Sequence, residues 1–286
     1  MRRVISSGVE RIPQRLRQAL LGSPSDPTHM ANALHMILNM LPGSRVTCLP
    51  CRGVLKGYHM KIDWSRHRSF VYGTWEPAVV NALVEIVRPG ASAVDIGAHV
   101  GFYTLILSKM VGPQGRVLAF EPLPWNFRVL CDNIQLNHCT HVEAINKALL
   151  DRTCTLDAEM PEGEPLPGSV AFHMSDGTGQ ATADALALDD FLRDTGQPVN
   201  FMKIDVEGLE SLVLKGASRT IEAYHPALIV EVHHFNGSPD ASPVMCQLRE
   251  WGYATRWLSR WKLTSHLLAT WHEPSLPFSG TSSNAD

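Results

Sequence analysis

The 286-residue chain predicts an α/β fold, a Rossmann-like, parallel-rich sheet with helices on both faces. Three observations carry that reading. Short apolar runs alternate with amphipathic stretches at the spacing of strand–helix–strand units. The first such run, Ala91 to Ile96, leads into two glycines, Gly97 and Gly101, and then into an apolar-periodic segment from Tyr103 to Met110. Finally, Asp95, Glu121, Asp205 and His233 all fall at or near the C-terminal ends of predicted strands. Ligands bind at that edge in sheets of this kind.

Taken in order, residues 1–22 place Arg2, Arg3, Arg11, Arg15 and Arg17 among Val4, Ile5, Val9, Ile12, Leu16, Leu20 and Leu21. This is a basic amphipathic helix interrupted by Pro13, expected to pack on the domain with its arginines in water. Contact with an anionic membrane surface and an organelle transit role are the competing readings. A break at Gly22 to Pro27 precedes a second helical stretch, His29 to Leu41. From Arg45 to Gly73 the pattern turns β-like: Val46–Cys48, Val54–Lys56, His59–Ile62 and Ser69–Tyr72, punctuated by Gly53, Gly57 and Gly73. Residues 1–74 are therefore expected to form a helical and hairpin cap, and residues 75–286 the core domain.

Pro77 opens a helix running through Val87, a position where proline is favourable. After the glycine turn come a strand Arg116–Phe120, a helix Trp125–Leu136 and a strand Val142–Ala148. The stretch from Asp157 to Gly179, with Pro161, Pro165 and Pro167, reads as a long loop or hairpin insertion. Thr182–Leu188 is a strand, and Asp189-Asp190 begins a helix. Strand Asn200–Asp205, helix Glu210–Tyr224 and strand Pro226–Val232 follow. Segments Val244–Trp251 and Ala254–Leu258 fit a last helix and strand, and the residues from Gly280 read as frayed.

Hydrophobic content of 44% and charged content of 19% describe a globular protein. A net charge of −3 supplies no drive towards nucleic acid. No apolar run approaches the ~18 residues of a membrane span, and the first residues lack a secretory apolar core. Six cysteines are scattered without a disulfide framework, and Cys48-Leu-Pro-Cys51 has no second pair to make a zinc ribbon. A cytoplasmic setting with reduced thiols is expected.

The glycine spacing is neither the G-x-G-x-x-G of a dinucleotide turn nor a P-loop, which would carry Gly-Lys-Ser/Thr. Instead an acid, Asp95, precedes the first glycine. A carboxylate there repels a pyrophosphate but suits an ammonium or sulfonium, and S-adenosylmethionine is such a ligand. Glycines let it approach the backbone and the N–H groups of the first helical turn. Glu121, 20 residues after Gly101, stands where a carboxylate accepts from ribose hydroxyls. Lys203-Ile-Asp205-Val-Glu207-Gly208 places two acids at a strand end. Asp205 is a ligand candidate, whereas Glu207 serves either the site or the next helix's macrodipole. Glu231 and His233 share one face of their strand and His234 the other. His233 is the candidate general base for a hydroxyl proton as a methyl group arrives, with Asp205 orienting the acceptor. A hydrogen-bonded surface histidine is the plainer alternative. Asp205, Glu231 and His233 could also ligate a divalent metal, but the spacing does not demand one and none is expected.

Together, Asp95–Tyr103, Glu121-Pro122, Leu188–Leu192, Lys203–Gly208, Leu214–Gly216 and Glu231–His233 resemble the FkbM-like methyltransferases, from about Trp75 to His233 with a continuation to Leu258. The resemblance implies a class I S-adenosylmethionine-dependent methyltransferase fold. It also implies methyl transfer to a hydroxyl oxygen of a small-molecule or carbohydrate acceptor such as a sugar or polyketide. Carried over, Asp95, Gly97, Ala98, Gly101 and Tyr103 hold the methionine part of the cofactor, Glu121 the ribose, and Asp205 faces the substrate. His99 departs from the family, which commonly has Asn there. A catalytically silent methyltransferase-like module is the alternative from another class. A nicotinamide-dependent oxidoreductase is disfavoured by the glycine spacing, and a nucleic-acid methyltransferase by the absence of an Asn/Asp-Pro-Pro-aromatic motif. The cap and the 157–179 insertion are expected to shape the acceptor pocket, with Trp64, Trp75 and Tyr103 as candidates to stack on a sugar.

Overall fold

Successive side chains on a strand point to opposite faces of a sheet, and here both sets are apolar on the central strands, so both faces must be covered. The computed structural model describes residues 46–159, 171–174, 181–234 and 237–271. The two N-terminal helices and the frayed end expected from Gly280 lie outside them. A hairpin comes first, β1 (Val46–Pro50) and β2 (His59–Asp63), paired antiparallel. Helices α1 (Trp64–Tyr72) and α2 (Pro77–Ile86) follow, the latter with proline at its first position. Then come β3 (Ser92–Ile96), α3 (Phe102–Val111), β4 (Arg116–Phe120), α4 (Pro124–Leu136) and β5 (Val142–Ile145).

An insertion supplies β6 (Ala148–Leu150), β7 (Cys154–Glu159), β8 (Ala171–Met174) and β9 (Ala181–Ala187). The chain continues through α5 (Leu188–Phe191), β10 (Phe201–Ile204), α6 (Glu210–Gly216), α7 (Ser218–Tyr224), β11 (Ala227–His233), α8 (Pro243–Glu250), β12 (Ala254–Arg260) and β13 (Thr264–Thr270).

The main sheet has the order β12-β13-β11-β10-β3-β4-β5. Strands β11, β10, β3, β4 and β5 are parallel, and β13 runs against both its neighbours. The pleat divides the core in two. Ala93, Val117, Phe201 and Ile229 face one cluster, which includes Val79, Leu83, Leu105 and Ile106 of α2 and α3. Their neighbours Val94, Leu118, Met202 and Val230 face the other, with Leu214, Ile221, Val244 and Leu248 of α6, α7 and α8. From β3 the chain winds outward through β4 and β5, then returns to the other side of β3 with β10 and β11. The crevice between the ends of β3 and β10 is therefore the topological switch point, where open α/β sheets bind ligands. The insertion forms a separate sheet of order β6-β9-β7-β8.

Five expectations need correction. The strand expected over Val142–Ala148 ends at Ile145 in the main sheet, and Ala148 opens β6 in the other sheet. Ser69–Tyr72, expected to be extended, belongs to α1, and Val54-Leu55 lies in a short 3-10 turn. Burial of Phe70 and Val71 against the first core cluster outweighs their β preference. The helix expected over Glu210–Tyr224 is two helices meeting at Ala217. Gly216 ends the first of them, and a Cβ there would stand 1.8 Å from the Leu150 carbonyl oxygen, so this helix packs directly on the insertion's backbone. The last antiparallel strand, β13, lies beyond the final strand expected from the sequence. It pairs between β11 and β12, a non-local choice that periodicity does not reveal. Among the described residues no helix is long and apolar enough to cross a membrane.

Candidate active site

A cavity of about 380 Å³ opens at the switch point, within the range of small-molecule sites. Ile96, Gly97, Phe120, Glu121 and Leu149 line one part; Tyr103, Asp205, Glu207, Glu231 and Trp261 line another. Strand ends place these groups. Gly97 has φ +81°, and a Cβ on it would stand 1.8 Å from the carbonyl oxygen of Asp205. Only glycine lets β3 and β10 come this close as both chains leave the sheet.

The loop after β3 is tied to β4. The amides of Gly97 and Ala98 both donate to the Phe120 carbonyl, at 3.0 and 2.9 Å. The His99 amide donates to Glu121 Oε2 at 2.8 Å, and the Leu123 amide donates to Glu121 Oε1 at 2.9 Å. Glu121 thus braces the glycine turn as well as lining the cavity. Burial pushes its carboxyl up to about 7, against the pull of those amides. Asp95, in contrast, lies beneath the cavity floor. It is wholly buried, accepts from Thr104 Oγ1 at 2.6 Å, and its Oδ1 has no hydrogen-bond partner. Burial raises its pKa, with Lys203 opposing.

Lys203 is the hub of the floor. Burial alone would favour its neutral form, but Asp205 and Asp95, with Glu76 and Glu231, hold it protonated. Its Nζ donates to Asp205 Oδ2 at 3.0 Å and sits 4.4 Å from the centre of the Tyr103 ring. Although burial opposes it, this ammonium draws the Asp205 pKa below the ordinary carboxylate value. Asp205 therefore faces the cavity as an anion. The Tyr103 hydroxyl donates to Glu76, the residue before Pro77, which adopts φ +41°. Burial and the Asp205 charge raise the pKa of Glu231.

His233 is enclosed rather than presented. Its Nδ1 lies 2.7 Å from Glu210 Oε1 and its Nε2 3.2 Å from Glu207 Oε2. Burial would favour the neutral ring, but these two carboxylates push its pKa up to about 10. A ring protonated on both nitrogens has no lone pair for a hydroxyl proton, so the geometry speaks against the general-base role expected of His233. Glu207, in turn, joins His233 while lining the cavity rather than acting as a simple helix cap.

Of the residues read from the sequence, Gly97, Ala98, Tyr103, Glu121 and Asp205 line the cavity, while Asp95, Gly101 and His233 lie behind it. Gly101, at φ +93°, starts α3 against Leu130. Of the stacking candidates Trp75 lines the cavity and Trp64 lies in the core. Sequence reasoning missed Glu76, His67 and His266. His67, on α1, is buried with its ring stacked on Phe70 and its pKa lowered to about 3, chiefly by burial and then by His99 and Arg66. His266 is on β13, directly opposite Glu231. An acid before a helix-opening proline was a visible signal for Glu76; the other two had none.

A doubly wound sheet with a carboxylate-lined cavity at its switch point and a reversed penultimate strand is the architecture of a class I S-adenosylmethionine-dependent methyltransferase. The family model described as the methyltransferase FkbM domain matches residues 95–255. That is more than half of the chain, which belongs to the FkbM methyltransferase family. Methyltransferase 1 of Beauveria bassiana (strain ARSEF 2860) is 30% identical over 145 residues, covering 43% of this chain and 57% of that protein. Methyltransferase sdnD of Sordaria araneosa is 31% identical over 155 residues, covering 43% and 59%. The chain thus spans less than two thirds of the length of these curated relatives. Among solved structures, the FkbM methyltransferase of Methylobacillus flagellatus KT aligns with 66% of this chain and 50% of its own, at 17% identity and a TM-score of 0.45.

Proposed function

We propose that this chain transfers the methyl group of S-adenosylmethionine to a hydroxyl oxygen of a small molecule, a sugar or polyketide-type metabolite. One observation carries the reading: Asp205, kept anionic by Lys203, meets Gly97 at the switch point inside a cavity that also exposes Glu121. The residues fit the cofactor that the family implies. Glu121 offers carboxylate lone pairs to ribose hydroxyls beside the apolar Phe120 and Leu149. Gly97, Ala98 and Tyr103 line the cavity next to Asp205, where the methionine part would lie. Asp95 and Gly101 support that turn from beneath. Bound there, the cofactor supplies an electrophilic methyl on a sulfonium, an already activated group.

This chain's own work is then alignment, exclusion of water and proton management. We assign the acceptor's hydroxyl to Asp205, whose carboxylate would accept its hydrogen bond, orient it and take up its proton. His233 acts instead as the cation that holds Glu207 and Glu210 in place. The cap contributes Arg66, His67 and Phe70 to the cavity wall, so we treat residues 46–72 as part of the catalytic unit and residues 75–286 as its cofactor-binding body.

The test is thermal unfolding with S-adenosylmethionine, S-adenosylhomocysteine, NAD and NADP. A ligand at about 100 times its Kd stabilises by about 2.7 kcal/mol, a shift of several degrees. The expected result is a shift with the S-adenosyl compounds alone, retained in Asp205→Asn. A shift with NAD alone would overturn the proposal.

A further inference from the structure

We propose that Glu76, Glu231 and His266 form a binding site for one divalent cation in the floor of the cavity. One ligand atom from each residue lies within 4.8 Å of the other two. The backbone imposes this: Glu231 and His266 are directly opposed in the β11–β13 ladder, and Glu76 turns in from the left-handed residue before α2.

The second observation is the ring itself. His266 is 1% exposed. Its Nε2 lies 3.1 Å from Glu76 Oε2 and 3.5 Å from Glu231 Oε2, yet makes no well-directed hydrogen bond to either. It points into the gap between them. Its other nitrogen, Nδ1, is 2.9 Å from Ser259 Oγ, and Trp261 packs edge-on at 5.8 Å. Metal-ligating histidines are oriented in this way, with the far N–H engaged so that the near nitrogen presents its lone pair.

Charge favours the assignment. Lys203 makes its ion pair with Asp205, and Glu76 also accepts from the Tyr103 hydroxyl. Although burial opposes it, Glu231 and Glu76 push the pKa of His266 up to about 9 in the metal-free chain; a divalent ion takes the place of that proton, and two carboxylates, a neutral ring and the ion then sum to zero. The other trio, Asp205, Glu231 and His233, is a poorer candidate because both nitrogens of His233 are occupied by Glu210 and Glu207. Two carboxylate oxygens and one imidazole nitrogen suit a first-row divalent ion, and the oxygen majority suits Mn²⁺. Glu76 and Glu231 line the cavity, so the remaining coordination positions open onto it, next to Asp205. The consequence for catalysis rests on the methyltransferase reading: the ion would orient the acceptor hydroxyl and ease its deprotonation by Asp205. Binding itself does not depend on that reading.

The experiment uses the full chain, stripped with EDTA, desalted and titrated with MnCl₂ while free Mn²⁺ is followed by its EPR signal. One ion per chain is expected, with affinity lowered at least about tenfold in His266→Gln and Glu231→Gln and by about tenfold in Ser259→Ala. Near-UV circular dichroism identifies folded variants. A folded wild-type chain that takes up no Mn²⁺ overturns the proposal, as do folded His266→Gln and Glu231→Gln chains with wild-type affinity. If Mn²⁺ binds as expected while S-adenosylmethionine gives no thermal shift, the cation site stands and the methyltransferase reading falls.

Discussion

Glu121 and His233 show how burial redefines a titratable side chain. A carboxyl raised from 4.5 to about 7 binds its proton more tightly in the folded state. Stability is therefore full below pH 4.5 and declines as pH rises towards 7, by up to roughly 3 kcal/mol if this group acts alone. Urea midpoints of wild type and Glu121→Gln between pH 5 and 8 check this: the variant is expected to lose that part of the slope. At His233 the expected result is structural. His233→Ala strips the cation from Glu210, whose carboxylate is buried and also accepts from the Gly208 amide at 2.8 Å. Removing one member of a buried pair costs roughly 3–5 kcal/mol, read as a lowered urea midpoint. Sequence periodicity put His233 at the C-terminal end of its strand and on the face of Glu231, where the structure has it. It could not show two glutamates closing over it, because both come from an earlier part of the chain: Glu207 follows β10, and Glu210 opens α6, 23 residues before His233.

At the scale of elements, the Leu188–Leu192 motif serves packing more than chemistry. Helix α7 starts at Ser218 without a cap of its own. Asp189, thirty residues earlier, reaches its first turn: it accepts from the Arg219 and Thr220 amides at 2.8 and 2.9 Å and from Thr220 Oγ1 at 2.7 Å. A carboxylate at a helix N-terminus also meets the positive end of the macrodipole. Asp189→Ala is expected to cost about 1–3 kcal/mol, since it leaves buried donors unpaired. Chemical unfolding monitored at 222 nm measures it, with cofactor-induced stabilisation preserved. The acid pair before an apolar helix was legible as a helix start. That it caps a different helix was not, because the contact joins segments far apart in sequence.

For the whole molecule, the decisive feature is that the cap shares a core with the sheet. Leu55, Met60, Ile62, Trp64, Phe70 and Val71 pack in one cluster with Val79, Leu83, Leu105 and Ile106. The β2 backbone is pinned to α4, where Asn133 Oδ1 accepts from the Lys61 amide at 2.6 Å. Deleting residues 1–74 is therefore expected to leave a chain that binds a hydrophobic dye and lacks near-UV circular dichroism, whereas an independent cap would leave a cooperative melt. The sequence by itself determined the strand–helix alternation, the parallel sheet, the glycine turn and the family, because these rest on local periodicity and on contiguous motifs such as Asp95–Tyr103 and Lys203–Gly208. Tertiary structure alone decided that Asp95 lies under the floor, that His233 is enclosed by Glu207 and Glu210, and that Glu76 and His266 meet Glu231. Those outcomes depend on which strand ends and loops are brought within a few ångströms, and on how completely water is removed there. Neither is set by any local window of the chain.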